Sequence, residues 1–340
     1  MKREDEKMTT IVELAKYAGV SKTTISRYLN GEAKGHISQE TQQRIKEAID
    51  ELNYRPNDLA RGLKKKQTNV IGVITNDLTN SFFLQMIEGI ESELCAAGYN
   101  MMVCNSAMSV DREIELLKML DQKMMDGIIV IGLNMPVEHV TKLGIHVPIV
   151  LFERDAGKSM YDSIKIDNEK GVEMVVRHLI QKGYKRIAHI EGAKESVVSK
   201  ERKELFFKTI EECGRTVRPE YIVSGNYNMN QAYEAMKQLC GLKIPPDAVF
   251  CSNDLMAFGA VRYLIEHNYR IPEDIAVAGY DDIDMAAMLR PELTTVHQPV
   301  WELAKKGTRM LLKRIKLSAD IPKEPQSIVL TPELIIRKTT

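Results

Sequence analysis

The chain has 340 residues, 28% charged and 44% hydrophobic, with Lys+Arg and Asp+Glu in equal number. That profile fits a folded protein of two or three domains and excludes disordered and collagen-like chains. Its longest apolar runs, 127–133 and 145–152, have the length of buried strands and fall short of the ~20 residues of a membrane span, so no membrane segment is expected. The opening MKREDEKMTT contains no apolar signal core, and the expected location is the cytoplasm. Cys95, Cys104, Cys213, Cys240 and Cys251 include no C-x-x-C pair and read as reduced core residues. The neutral total conceals a split. Residues 1–68 carry 14 Lys/Arg against 10 Asp/Glu, leaving 33 against 37 for residues 69–340. A basic head on a mildly acidic body is what a nucleic-acid-binding module on a larger domain shows, although a solvated charged face would count the same way.

In the head, Ile11, Leu14, Ala15 and Ala18 recur at helical spacing, Gly19 interrupts, and Ser21 opens a second helix with Ile25 and Leu29 inward. This is the pattern of a helix-turn-helix. Ala15 is small where the helices approach, Gly19 suits the left-handed turn, and Val20 and Ile25 bury the second helix on the first. Left outward are Lys22, Thr23, Thr24, Ser26, Arg27 and Tyr28, whose groups can reach phosphates and base edges in a major groove. Ser38 caps a third helix, Gln39 to Leu52, with Ile45, Ala48, Ile49 and Leu52 along one side. Pro56 and Asn57 can then start a short helix carrying Leu59, Ala60 and Leu63, too short to be stable alone.

From Asn69, short β-branched runs alternate with amphipathic stretches: VIGVI, then a helix from Phe82 to Ala97, a strand Asn100–Cys104, a helix Asp111–Gln122, GIIVIG and PIVLF. A second cycle contains RIAHI, YIVSG, AVFCS and IAVAGY, separated by helices at 200–213, 229–240 and 255–266. Continuously apolar strands alternating with helices indicate parallel sheets buried on both faces, and two similar units imply two lobes around a cleft. Ligands in such sheets sit beyond the carboxyl ends of strands. The candidates there are Asn76, Asp77, Asn105, Glu153, Arg154, Asp167, Glu191, Asn253 and Asp281.

Together VELAKYAGVSKTTISRYLN, ELNYRPNDLARGLK, NVIGVI and GYDDID…LTTVHQP resemble the LacI/GalR family of bacterial transcription regulators, over about Thr9 to Arg337. The resemblance implies an α + α/β fold. It comprises an N-terminal helix-turn-helix DNA-binding domain of three helices (8–56), a hinge helix and linker (57–68), and a two-lobed periplasmic-binding-protein-like α/β domain (69–340) for effector binding and dimerisation. The first lobe is expected near 69–167 plus 297–323, and the second near 168–296 plus 324–340. The implied function is a repressor whose affinity for a pseudo-palindromic double-stranded DNA operator is controlled by a sugar, sugar acid or sugar phosphate in the cleft. No cofactor or metal is called for. A homodimer is implied, and with no leucine heptad tail after Arg337 no tetramer is expected.

By the same match, Thr10, Ser21, Lys22, Thr23, Thr24, Ser26, Arg27, Tyr28 and Asn30 contact DNA from the head. Asn57, Ala60, Leu63 and Lys64 contact it from the hinge, with Leu63 as a minor-groove lever, a role that suits an apolar wedge. The implied effector contacts are Phe82, Phe83, Arg154, Asp167, Arg202, Tyr227, Asn253 and Asp281. Two departures stand out: the loop GEAKGH is about two residues longer than the commonest family form, where Lys34 or His36 could meet phosphate, and Leu205 replaces a frequent glycine. Arg154 and Arg202 aimed at one cleft favour an acidic sugar or sugar phosphate. Phe82, Phe83 and Tyr227 would equally suit a purine base, or could be core aromatics.

Enzymatic readings find little support. There is no G-x-G-x-x-G, G-x-x-x-x-G-K-[ST] or G-x-S-x-G, and no H-x-x-x-H pair; Asp281, Asp282 and Asp284 could hold a cation but also suit a turn. A transporter's solute receptor, or a sugar-processing enzyme with a DNA-binding head, remain the alternatives.

Overall fold

Three helices too short to persist alone are held by their caps and a shared core. They are α1 (Ile11–Tyr17), α2 (Lys22–Leu29) and α3 (Gln39–Glu51). Thr10 accepts the Glu13 N–H while the Glu13 carboxylate takes the Thr10 N–H at 2.7 Å, a reciprocal capping box. Ser21 and Ser38 cap α2 and α3 by accepting from Thr24 and Thr41. Gly19, at φ +63, makes the turn between α1 and α2. Leu14, Ile25 and Ile45 are fully buried among Ala15, Ala18, Ala48 and Tyr54. The computed structural model describes residues 9–54, 67–157, 159–317 and 324–340, so the expected hinge helix with Asn57, Ala60, Leu63 and Lys64 lies outside the described residues. Two compact units result, Met1–Thr68 and Asn69–Thr340.

In the second unit, β1 (Val70–Thr75), β2 (Asn100–Asn105), β3 (Gly127–Ile131), β4 (Ile149–Phe152) and β5 (Asp162–Ile166) form the first sheet with β11 (Ser327–Leu330), all parallel in the order β11-β5-β4-β3-β1-β2. The second sheet contains β6 (Ile187–Glu191), β7 (Ile222–Ser224), β8 (Ala248–Cys251), β9 (Ala276–Asp281), β10 (Thr294–His297) and β12 (Glu333–Ile335), in the order β12-β10-β9-β8-β6-β7. Only its edge strand β12 runs antiparallel. The central strands are buried throughout, as the unbroken apolar runs require. Helices α4 (Ser81–Ala96), α5 (Val110–Gln122), α6 (Val137–Lys142) and α12 (Val300–Lys316) accompany the first sheet. With the second go α7 (Asn168–Gln181), α8 (Val197–Glu212), α9 (Met229–Cys240), α10 (Asp254–Glu266) and the short α11 (Met285–Met288). Among the described residues no helix is long and apolar enough to cross a membrane.

The chain passes between the lobes three times: at Asp167 between β5 and α7, at Gln298 and Pro299 between β10 and α12, and at Thr331 and Pro332 between β11 and β12. This corrects the expected boundary that assigned all of 324–340 to the second lobe. Ser327–Leu330 pairs with Ser163–Ile166 as an edge strand of the first sheet and buries Leu330 there. The chain crosses only at Thr331 and Pro332, where proline has no N–H to continue the ladder.

Candidate ligand-binding cleft

The carboxyl ends of both sheets converge on a cleft. From the first lobe come Asn76, Asp77 and Asn80 after β1, Met108 after β2, Gly132, Leu133 and Asn134 after β3, and Glu153 after β4, with Phe82 and Phe83 from the start of α4. From the second come Ser196, Val197, Val198 and Arg202 around the start of α8, Tyr227 after β7, Asn253 after β8 and Asp281 at the end of β9.

Arg202 is the organising cation. It is 3% exposed, donates from Nε to Asn168 Oδ1 at 3.0 Å and from Nη1 to the Ser252 carbonyl at 2.7 Å, and lies 3.6 Å from the centre of the Tyr280 ring. Burial opposes its charge, but Tyr280, Tyr227, Asp281 and Glu153 outweigh burial and raise its pKa. Behind it, His189 donates from Nδ1 to the Phe250 carbonyl at 3.0 Å, which leaves Nε2 to accept from Ser252 Oγ at 3.2 Å. Burial pushes that imidazole down to about 3, so it stays neutral and anchors the residue whose carbonyl holds Arg202.

Asp281 links the lobes. It lies 4.0 Å from Arg202 and accepts from Gln298 Nε2 at 2.7 Å and, across the cleft, from Asn80 Nδ2 at 3.4 Å. Burial pushes its carboxyl up to about 7 against the opposing pull of Arg202, Asn80 and Gln298. Glu153 is likewise raised to about 7 by burial, opposed chiefly by Arg202. Four lining residues carry a buried polar atom without a partner: Asn76 Oδ1, Asn134 Nδ2, Glu153 Oε1 and Asn253 Nδ2. Buried polar groups are nearly always paired, so their convergence on one cavity marks a place for a ligand. Non-glycine residues in the left-handed region collect here too: Met108, Glu153 and Tyr227 near φ +55 to +60, and Asp281 at φ +124. Such conformations cost about 1–3 kcal/mol each and gather at functional sites.

Of the predicted effector contacts, Phe82, Phe83, Arg202, Tyr227, Asn253 and Asp281 meet in the cleft, and Arg154 and Asp167 do not line it. Arg154 lies within electrostatic reach of Glu138 and Glu113. Asp167 caps α7 by accepting from the Lys170 N–H at 3.0 Å. The expectation of two arginines in one cleft is therefore corrected to one, and Glu153 adds a negative charge. Of the strand-end candidates, Asn105 instead accepts from the Ala107 N–H and Glu191 pairs with Lys203. Phe82 and Phe83 meet edge to face at 68°. Asn80, Asn134 and Ser196 were missed, yet Asn80 and Ser196 carry a readable signal as the caps of α4 and α8. The loop bearing Asn134 is set by a distant group: the buried Glu113 carboxylate accepts from the Asn134 and Met135 N–H groups at 2.9 and 3.0 Å. Asp282 is held by His297 and Arg337, and no metal-binding cluster occurs among the described residues.

In the helical unit, Lys22, Thr23 and Arg27 are exposed on α2, and Ser26 is half-buried. Tyr28 packs partly on the core, and Asn30 ends the helix. The Thr10 and Ser21 hydroxyls serve as caps, and Ser21 also bonds Thr24. Lys34 and His36 are exposed in the lengthened loop.

Residues 10–57 match the family described as bacterial regulatory proteins, lacI family, and residues 176–340 match the periplasmic binding protein-like domain. The chain is 34% identical over 98% of both chains to the HTH-type transcriptional repressor PurR of Photobacterium profundum. Among solved structures, the lac repressor dimer bound to operator and the anti-inducer ONPF aligns with a TM-score of 0.85 at 28% identity, over 98% of this chain and 99% of that one. The transcriptional regulator CelR in complex with cellobiose aligns with a TM-score of 0.73 at 27% identity, over 98% and 100%.

Proposed function

Because the chain belongs to the lacI family of bacterial regulatory proteins and is a DNA-binding transcription repressor under small-ligand control, we propose a finer reading: its effector is a sugar or sugar derivative held in the cleft between the lobes. The observation that carries this is the set of unpaired buried polar atoms on Asn76, Asn134, Glu153 and Asn253, residues that line a cavity together with aromatic rings. Amides and carboxylates at several angles match the donors and acceptors of hydroxyl groups, and an aromatic face suits the apolar side of a sugar ring. The cellobiose held by the CelR relative supports the same class.

The chain works as a homodimer in the cytoplasm, with Lys22, Thr23 and Arg27 of each α2 reading one half of a pseudo-palindromic operator. Ligand favours one relative orientation of the lobes, since it competes for groups such as Asp281 that already bridge them. Operator affinity follows the lobe orientation that the ligand favours.

The test is to select DNA from a random pool with the full chain, then titrate the recovered site against sugars by fluorescence anisotropy. A twofold-symmetric site whose affinity shifts with a sugar is expected. Recovery of sites without symmetry would sink the dimeric reading, and indifference to every sugar would sink the ligand class.

A further inference from the structure

Three carboxylates, on Asp77, Glu153 and Asp281, line the cleft against a single guanidinium, Arg202. That guanidinium is largely committed, through Nε to Asn168 at 3.0 Å and Nη1 to the Ser252 carbonyl at 2.7 Å. Asp281 has partners on both oxygens, Gln298 and Asn80. Glu153 differs: it is 8% exposed, and its Oε1 has no partner. Lys165, a second cation within electrostatic reach of Glu153, is held by Asp155 at 3.2 Å, and Glu201 adds a further negative charge nearby. The cleft therefore contains a buried carboxylate whose one buried cationic neighbour, Arg202, is shared with Asp281 and committed elsewhere by its hydrogen bonds. A buried charge left uncompensated is costly, and removing that cost is a source of binding energy for whatever supplies the missing charge.

We propose that the cleft takes a small polyhydroxy amine, such as an amino sugar, whose ammonium group is held by Glu153, and that it turns away anionic sugars. This rests on reading the cleft as the effector site. A neutral hydroxyl could donate to Glu153 but would leave two buried carboxylates sharing Arg202, whereas an ammonium leaves one cation for each. A phosphate or carboxylate on the ligand would add a fourth negative group to a site with one cation. The remaining unpaired atoms suit hydroxyls: Asn134 Nδ2 and Asn253 Nδ2 donate, and Asn76 Oδ1 accepts.

The test is calorimetric titration of the full chain with matched pairs: Tris against pentaerythritol, its neutral analogue, and glucosamine against glucose, with glucose 6-phosphate as the anionic arm. The amine of each pair is expected to bind about tenfold tighter or better, with the preference in Glu153→Gln reduced to within about threefold and no binding of the phosphate. Equal affinity within the pairs, or tightest binding of the phosphate, overturns the amine assignment and leaves the cleft a sugar site. Silence across the whole panel overturns the amine assignment, and the wider sugar titration decides the ligand class. The wild-type pairs decide the matter even where Glu153→Gln fails to fold.

Discussion

Glu153→Gln is expected to stabilise the ligand-free protein above neutral pH. A glutamate carboxyl with a reference value of 4.5 is held at about 7 in the fold, with burial as the main cause. The sign follows from proton binding: between those two values the folded state retains a proton that the unfolded state has lost, so stability falls as pH rises from about 4.5 to 7 and stays lower beyond. The displacement corresponds to about 3 kcal/mol at pH 8, of which relaxation around the neighbouring Arg202, Asp281, Glu201 and Lys165 removes some. Glutamine keeps the shape without the charge and escapes this penalty. For a unit of this size that is a rise in melting temperature of roughly 5–10 °C at pH 8, shrinking towards zero at pH 4.5. Thermal melts of both proteins across that range measure it. A variant that melts with the wild type at pH 8, or below it, would refute the claim that the charge of buried Glu153 costs more than its neighbours return. The wild type tolerates the cost because a binding site is made from groups a ligand can satisfy.

Three other outcomes are expected. Leu14→Ala empties a fully buried position in the small helical core; at about 2–5 kcal/mol the loss is comparable to what so small a unit has to spare, so operator binding is lost while ligand still raises the melting temperature of the larger unit. Retained operator binding at 37 °C would contradict that view of the core. Gly192→Ala would place a Cβ 2.2 Å from the Tyr227 ring, so the ring must leave its seat and ligand affinity by calorimetry should fall at least about tenfold; unchanged affinity would remove Tyr227 from the site. Arg27→Ala, on the exposed face of α2, should reduce the slope of log affinity against log salt by about 1 if it meets phosphate, or relax base preference at one position if it reads a base edge. No change in either would take Arg27 out of the DNA contact.

Local pattern was sufficient for the elements and for much of the site. Apolar residues at helical spacing, the capping hydroxyls of Thr10, Ser21 and Ser38, and Gly19 at the turn specify α1 to α3 because each acts over a few residues. The rule that ligands lie beyond the carboxyl ends of parallel strands picked out Asn76, Asp77, Glu153, Asn253 and Asp281, since strand ends are legible from apolar runs. Direction and long-range pairing were not legible. Glu153 and Arg154 are adjacent at a strand end, yet Glu153 lines the cleft and Arg154 does not. SIVLTPELI is continuous in sequence, yet its halves belong to different sheets because β5 and β10 each present a free edge to it. The charge of the cleft depends on the same geometry. Counting arginines along the chain suggested a site for anions, whereas folding brings together Asp77, Glu153 and Asp281 around Arg202 alone, because a side chain's neighbours are chosen by how the two sheets meet and not by its place in the chain.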